Sequence, residues 1–167
     1  FSPKNIFKMG DEIFFNAYGP ASNNELWKSD GTTAGTVLVK DIAVGPAISS
    51  QPYNFTVVGN ELYFKINGGH IWKTDGTGVG TVAVADNFNT IYEMVSFKDE
   101  LYFAGNESIY GTELYKVVAG SPQLVKDIAL NTSSGLTNDS HFEVHGSKLF
   151  FSASNRLWQT DGTEIGT

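Results

Sequence analysis

One string recurs along the chain and restricts its fold more than any other feature. Leu26-Trp27-Lys28-Ser29-Asp30-Gly31-Thr32, followed by Gly35-Thr36, returns as Ile71-Trp72-Lys73-Thr74-Asp75-Gly76-Thr77 with Gly80-Thr81. It returns again as Leu157-Trp158-Gln159-Thr160-Asp161-Gly162-Thr163 with Gly166-Thr167, while Leu114-Tyr115-Lys116 is a copy without the Asp-Gly. The aromatic anchors at 27, 72, 115 and 158 are spaced by 45, 43 and 43 residues. That period suits a four-stranded blade, a unit that cannot bury its apolar faces alone and stacks on copies of itself.

Three more strings keep the same period. Gly10-Asp11-Glu12-Ile13-Phe14-Phe15, Gly59-Asn60-Glu61-Leu62-Tyr63-Phe64, Asp99-Glu100-Leu101-Tyr102-Phe103 and Gly146-Ser147-Lys148-Leu149-Phe150-Phe151 each read as a turn running into a strand. Val37-Leu38-Val39-Lys40-Asp41, Val82-Ala83-Val84-Ala85-Asp86 and Gln123-Leu124-Val125-Lys126-Asp127 follow the Asp-Gly turns or their counterpart, and a short apolar stretch precedes each turn-strand unit. Four strands per repeat with short connections make an antiparallel meander. The expected fold is therefore all-β, a propeller-like array of four-stranded antiparallel blades over about 4–42, 53–86, 91–128 and 141–167. The last blade stops at its Asp-Gly turn, so about 3.5 blades are present, the ring is incomplete, and a fragment of a larger propeller is expected.

Side chains alternate between the faces of a strand, so Leu26 beside Trp27 and Tyr63 beside Phe64 place bulky groups on both faces. Sheets covered on both faces without helices must be covered by other sheets, with the recurring rings between them. Phe88, Ile91, Tyr92 and Val95 fall at helical spacing and admit a helix there. The repeat register assigns them instead to a connection and the first strand of the next blade.

Asp-Gly is a strong hairpin signal: glycine takes positive φ freely and the carboxylate accepts backbone N–H groups further on. Thr32, Thr77 and Thr163 are placed to close the loop with their hydroxyls. Calcium is the one cofactor weighed for these loops, and a single acid per loop falls short of the six to eight oxygens it takes. Neither a metal site nor a cofactor is expected, and Trp27, Asp30, Gly31, Trp72, Asp75, Gly76, Tyr115, Trp158, Asp161 and Gly162 are read as maintaining the repeat.

Glu25-Leu26-Trp27-Lys28-Ser29-Asp30-Gly31-Thr32, with Gly35-Thr36 and Val39-Lys40-Asp41-Ile42, resembles the ELWxxDGT repeat, over essentially the whole chain. His70-Ile71 and Arg156-Leu157 depart from the Glu-Leu of that pattern, and the Tyr115 copy departs most. The resemblance implies a large secreted or surface-exposed bacterial protein, propeller-like, commonly cargo of type IX secretion, with no assigned catalytic residues.

Eleven basic against eighteen acidic residues give a formal charge of -7, which disfavours nucleic acid and anionic membrane surfaces as partners. No apolar run is long enough for membrane insertion. Zero cysteines remove thiol chemistry, and the three histidines are too scattered for a metal centre. Asp11-Glu12 and Asp99-Glu100 read as solvated turns, and no nucleophile elbow or phosphate loop is present. His70 shares its slot with Glu25, Glu113 and Arg156, a slot expected to be a solvated edge.

Ten residues separate Phe15 from Leu26 and Phe103 from Leu114, but six separate Phe64 from Ile71 and five separate Phe151 from Leu157. These loops and the linkers Ala43–Pro52 and Ala129–Ser140 gather at one end of the blades. Variable loops on a rigid scaffold are where recognition sits. The expected function is a non-catalytic binding or adhesion scaffold, taking a glycan or a surface protein through exposed Tyr18, Asn23, Asn24, Asn106, Tyr110 and Asn138, with His70 a further candidate contact. Two alternatives stand beside it: the scaffold of a surface polysaccharide hydrolase whose carboxylates lie elsewhere, and a passenger of the secretion machinery.

Overall fold

A computed structural model describes residues 2–19, 23–44, 48–130 and 132–167. Among them every regular element is a β-strand. The first sheet contains β1 (Lys4–Met9), β2 (Glu12–Tyr18), β3 (Asn24–Ser29) and β4 (Val37–Lys40); the second contains β5 (Tyr53–Val58), β6 (Glu61–Ile66), β7 (His70–Thr74) and β8 (Val82–Ala85). The third contains β9 (Thr90–Phe97), β10 (Glu100–Glu107), β11 (Gly111–Val118) and β12 (Ser121–Lys126); the fourth contains β13 (Phe142–His145), β14 (Lys148–Ala153) and β15 (Arg156–Thr160). Strand order in each sheet follows chain order. The repeat thus folds as a propeller-like array of antiparallel blades, three of four strands and one of three. Residues 45–47 of the first linker and Asn131 of the last lie outside the described residues.

The helical spacing at Phe88–Val95 has a physical origin within the strand that forms there. Ile91, Met94 and Phe97 of β9 are buried three apart. Met94 pairs with Phe103 and Ile91 with Gly105, so β9 carries one extra residue against β10. That bulge keeps Ile91 and Met94 buried at a spacing strict alternation would forbid. Beyond it, burial on both sheet faces allows Phe97 to follow three residues later.

The chain divides into two compact units, Phe1–Ala83 and Val84–Thr167, with the boundary inside β8. In the first unit Phe14, Leu26 and Val39 of the first sheet pack with Leu62, Phe64 and Ile66 of the second, joined by Trp72. The second unit repeats this: Tyr102, Ala104, Leu114 and Val125 pack with Leu149, Phe151, Ala153 and Trp158. Register explains the recurrence. Phe15 faces Trp27, Phe64 faces Trp72, Phe103 faces Tyr115 and Phe151 faces Trp158, so each anchor ring shares a sheet face with the aromatic opposite it. The Leu or Ile before each anchor lies on the other face.

Trp72 and Trp158 therefore sit between sheets, as the repeat implies. Trp27 packs with Phe15, Ala17 and Leu38 of its own sheet. Tyr115 stacks on Phe103 with ring centroids 5.6 Å apart, and Phe88 meets both rings edge-on at 5.1 and 4.8 Å. Each fully buried side chain such as Leu26 or Leu114 contributes about 1.5–3 kcal/mol. Leu157 occupies the same register on the fourth sheet and is 77% exposed.

Candidate functional site

The Asp-Gly-Thr segments after β3 and β7 are seven-residue loops leading to the fourth strand of their sheets, longer than the tight hairpins their Asp-Gly pairs suggest, and a third such segment follows β15. Within the first, Asp30 Oδ1 accepts from the Thr32 backbone N–H at 2.9 Å and from the Thr32 hydroxyl at 2.7 Å. Thr32 Oγ1 in turn accepts from the Gly35 N–H at 2.9 Å. Thr36 Oγ1 donates to the Thr32 carbonyl at 2.7 Å, so the 2.7 Å contact between Ser29 and Thr36 has Ser29 Oγ as donor. Ser29 Oγ accepts from Gly31 N–H at 3.1 Å, which completes a chain of donors and acceptors.

The other two complete copies repeat the network. Asp75 and Thr77 hold Gly80 and Thr81, and Asp161 and Thr163 hold Gly166 and Thr167. Gly31, Gly76 and Gly162 have φ of 91, 91 and 95°, where a side chain strains the backbone. A Cβ at Gly35, Gly80 or Gly166 would overlap the aspartate carboxylate of its own loop. Bonds from the threonine side chain, then its backbone, hold the Asp30, Asp75 and Asp161 carboxyls below the usual range. These acids are engaged in loop closure. Among the described residues no three His, Cys, Asp or Glu side chains gather as a metal site would require.

The residue before Leu26 and Leu114 corrects the expectation of a solvated edge. Glu25 and Glu113 are fully buried. Glu25 accepts from the backbone N–H of Ile42 and of Ser50, both at 3.0 Å, and from the Ser50 hydroxyl at 2.5 Å. Glu113 accepts from the N–H groups of Ile128 (2.8 Å), Ala129 (3.3 Å) and Gly135 (2.8 Å). Each glutamate thus ties the start of the linker leaving its sheet to a point further along it, Ser50 in the first and Gly135 in the second. Burial pushes the Glu113 carboxyl up, while bonds from Ile128, Gly135 and Ala129 oppose the shift.

Lys40 and Lys126 form a second staple that sequence reasoning missed. Lys40 Nζ donates to the carbonyls of Gly78 and Thr81, at 3.2 and 2.7 Å, in the loop of the next sheet. Lys126 Nζ donates to those of Glu164 and Thr167 at 3.1 and 2.9 Å. Where the same string reads Ala85, the following repeat is the one lacking Asp-Gly-Thr. That pairing of losses was a signal available in the repeat itself.

The variable connections meet their neighbouring linkers within each unit. Asn23 Nδ2 donates to the Ile48 carbonyl at 2.8 Å, and Asn24 N–H donates to Ser49 Oγ at 3.1 Å. Asn24, expected to be exposed, is buried at 7%, because its backbone also accepts from Gln51 N–H and draws the linker over it. Tyr18, opposite Asn24, is exposed. Half-buried Asn106 bonds to Thr112 and Asn89 through its side chain. Half-buried Tyr110 lies in the β10–β11 turn, half-buried His70 opens β7, and exposed Asn138 lies in a turn before β13. Tyr18, Asn23 and Asn24 gather where β2 passes into β3, and Asn106 and Tyr110 where β10 passes into β11; in Asn23, Asn24 and Asn106 the polar groups that bond serve to fix loops.

The stacked meanders and closed polar loops define a class, a propeller-like repeat array. No protein-family model matches the chain, and no curated protein matches it. Solved structures share its fold. BamB from Moraxella catarrhalis, a β-propeller protein, superposes with a TM-score of 0.51 at 10% identity, over 92% of this chain and 41% of that one. An S511A mutant of puromycin hydrolase complexed with PGG gives 0.55 at 10% identity, over 94% and 24%. The computationally designed Ika8 protein gives 0.55 at 11% identity, over 97% and 46%. The chain spans less than half the length of each of these proteins.

Proposed function

We propose that the chain belongs to a non-catalytic, secreted or cell-surface bacterial repeat protein of the ELWxxDGT type, exported as type IX cargo, that binds a glycan or a surface protein. The rigid blades present the contact surface through the loops between their second and third strands and the linkers beside them. The carrying observation is where the recurring polar groups are engaged: Asp30, Asp75 and Asp161 close their loops, Glu25 and Glu113 hold linkers, and Lys40 and Lys126 hold the next loop. Residues repeated for shape leave chemistry to what is not repeated, and that is the loops.

A glycan array and a pull-down against surface proteins, repeated with the β2–β3 loop shortened to the length of the β6–β7 turn, test the proposal. Binding that the shortened loop weakens supports it. Flat results in both assays, or turnover of a polysaccharide abolished by a carboxylate change, refute it.

A further inference from the structure

The two linkers clamped by glutamate differ where they enter the next sheet. Only Gln51 and Pro52 separate clamped Ser50 from β5, whereas the six residues from Leu136 to His141 separate clamped Gly135 from β13. The added length folds on itself: Ser140 N–H donates to the Thr137 carbonyl at 3.2 Å, and Thr137 N–H to Ser140 Oγ at 2.9 Å. The β14–β15 hairpin stands against this turn. Ser154 N–H donates to the Gly135 carbonyl at 2.8 Å, as Asn67 N–H does to Ser50 at 3.0 Å in the first unit. Ser152 Oγ donates to the Asp139 carbonyl at 3.2 Å.

An open pocket of about 400 Å³ lies between turn and hairpin. Its polar lining includes Thr137, Asp139, Ser152, Ser154 and Asn155 beside Ser134 and Ser140, and no lysine, arginine or aromatic residue contributes. The Asp139 carboxylate accepts no bond from the described residues, and the Ser152 and Thr137 hydroxyls keep capacity beyond their internal bonds.

This chemistry selects a ligand class by elimination. An anion finds no cation in the lining and a chain of net charge -7. An apolar ligand finds Ala153 as the one hydrophobic side chain in the lining, with no large apolar group to pack against. A calcium ion finds one carboxylate where six to eight oxygens are needed. A neutral polyhydroxylated ligand matches: hydroxyls donate and accept to one another, and a carboxylate accepts from two neighbouring ring hydroxyls. The volume falls within the range of about 300–1,000 Å³ typical of small-molecule sites.

We infer that the pocket between Ser134–Ser140 and Ser152–Asn155 is a subsite for a neutral saccharide, with Asp139 as its principal acceptor. The inference rests on the binding role proposed above. Without a stacking ring, the affinity expected for one sugar unit is weak, on the order of 1 mM.

The test is ¹⁵N amide-shift mapping of the 167-residue chain with methyl glycosides of glucose, galactose, mannose and N-acetylglucosamine at about 20 mM, well above that dissociation constant. N-acetylneuraminic acid and calcium chloride serve as the anionic and cationic probes. Saturable shifts confined to residues 134–140 and 152–155 with a neutral glycoside support the subsite, provided that Asp139→Ala weakens them about fivefold to tenfold. Unchanged amide spectra away from the pocket verify that this variant is folded, and Ser152→Ala supplies an independent second variant. Shifts only at other loops overturn the pocket while leaving the scaffold role standing. No shift with any glycoside, or a response only to calcium or the anionic sugar, also overturns it.

Discussion

Replacing Glu113 by alanine is the sharpest perturbation of the linker clamp. The wild-type carboxylate accepts three backbone N–H groups, at 2.8, 3.3 and 2.8 Å, from a fully buried position. A hydrogen bond to a charged group contributes about 1.5–3 kcal/mol, and a buried donor left without a partner costs about 1–3 kcal/mol. Gly135 is buried, whereas Ile128 and Ala129 are half-buried and can recruit water. The full penalty therefore falls on one donor and a reduced one on the other two, partly offset by removing a buried charge. The net expected loss is about 2–4 kcal/mol, a large part of the roughly 5–15 kcal/mol that holds a domain folded.

Glutamine separates bonding from volume. With its oxygen at the Oε1 position it keeps the bonds from Ala129 and Gly135, but it turns an NH₂ toward the Ile128 N–H, for a loss of about 1–2 kcal/mol. Urea denaturation followed by circular dichroism and fluorescence reads both values as midpoint shifts at constant slope. The order wild type, Glu113→Gln, Glu113→Ala is expected, with faster exchange of the Gly135 amide in the alanine variant. An alanine variant within about 0.5 kcal/mol of wild type, the range of an ordinary surface substitution, would refute the clamp.

Three further outcomes follow from the packing and the loops. Gly80→Ala drives a Cβ into the Asp75 carboxylate and should cost about 2 kcal/mol, read by thermal melting, with the Thr77 amide resonance displaced. Leu114→Asp buries a charge in the interface of the second unit and should cost more than about 4 kcal/mol, whereas Leu157→Asp, at the same register but 77% exposed, should change stability by less than about 0.5 kcal/mol. Parallel urea titrations compare the two. With pH, Asp30, Asp75 and Asp161 are held below 3.8, so their stabilisation is complete above that value and fades as pH falls through their folded values. Glu113 is shifted upward from 4.5, so its ionised form costs stability that is regained as pH falls toward 4.5. Melting temperature should hold or rise slightly from neutral pH to 4.5 and drop below 3.8; a steep loss well above 4.5 would contradict these assignments.

The strands were legible because periodic anchors report on periodic sheets. Leu26 beside Trp27 announced two covered faces, and Asp30-Gly31-Thr32 announced a loop closed by its own side chains. The burial of Glu25 and Glu113 was not legible: local pattern gives no reason to bury a carboxylate, and its partners are amides some 15–25 residues along the chain. Asn24 misled for the same reason, since a polar residue beside a loop reads as solvated until a linker covers it. The pocket at Thr137–Ser140 is also non-local, because it needs the β14–β15 hairpin as its other wall.

Native-state hydrogen exchange at Thr77 and Gly80 reaches the central claim, that the repeated motif engages its polar groups in its own loops, most directly. Thr77 is exposed and Gly80 half-buried, both lie outside any strand, and their amides bond to Asp75 Oδ1 and Thr77 Oγ1 at 2.8 and 2.9 Å. Both amides should be protected well above unstructured rates, and Thr77→Val should abolish protection at Gly80 while sparing that of residue 77. Exchange at unstructured rates in the unmodified chain would contradict the account.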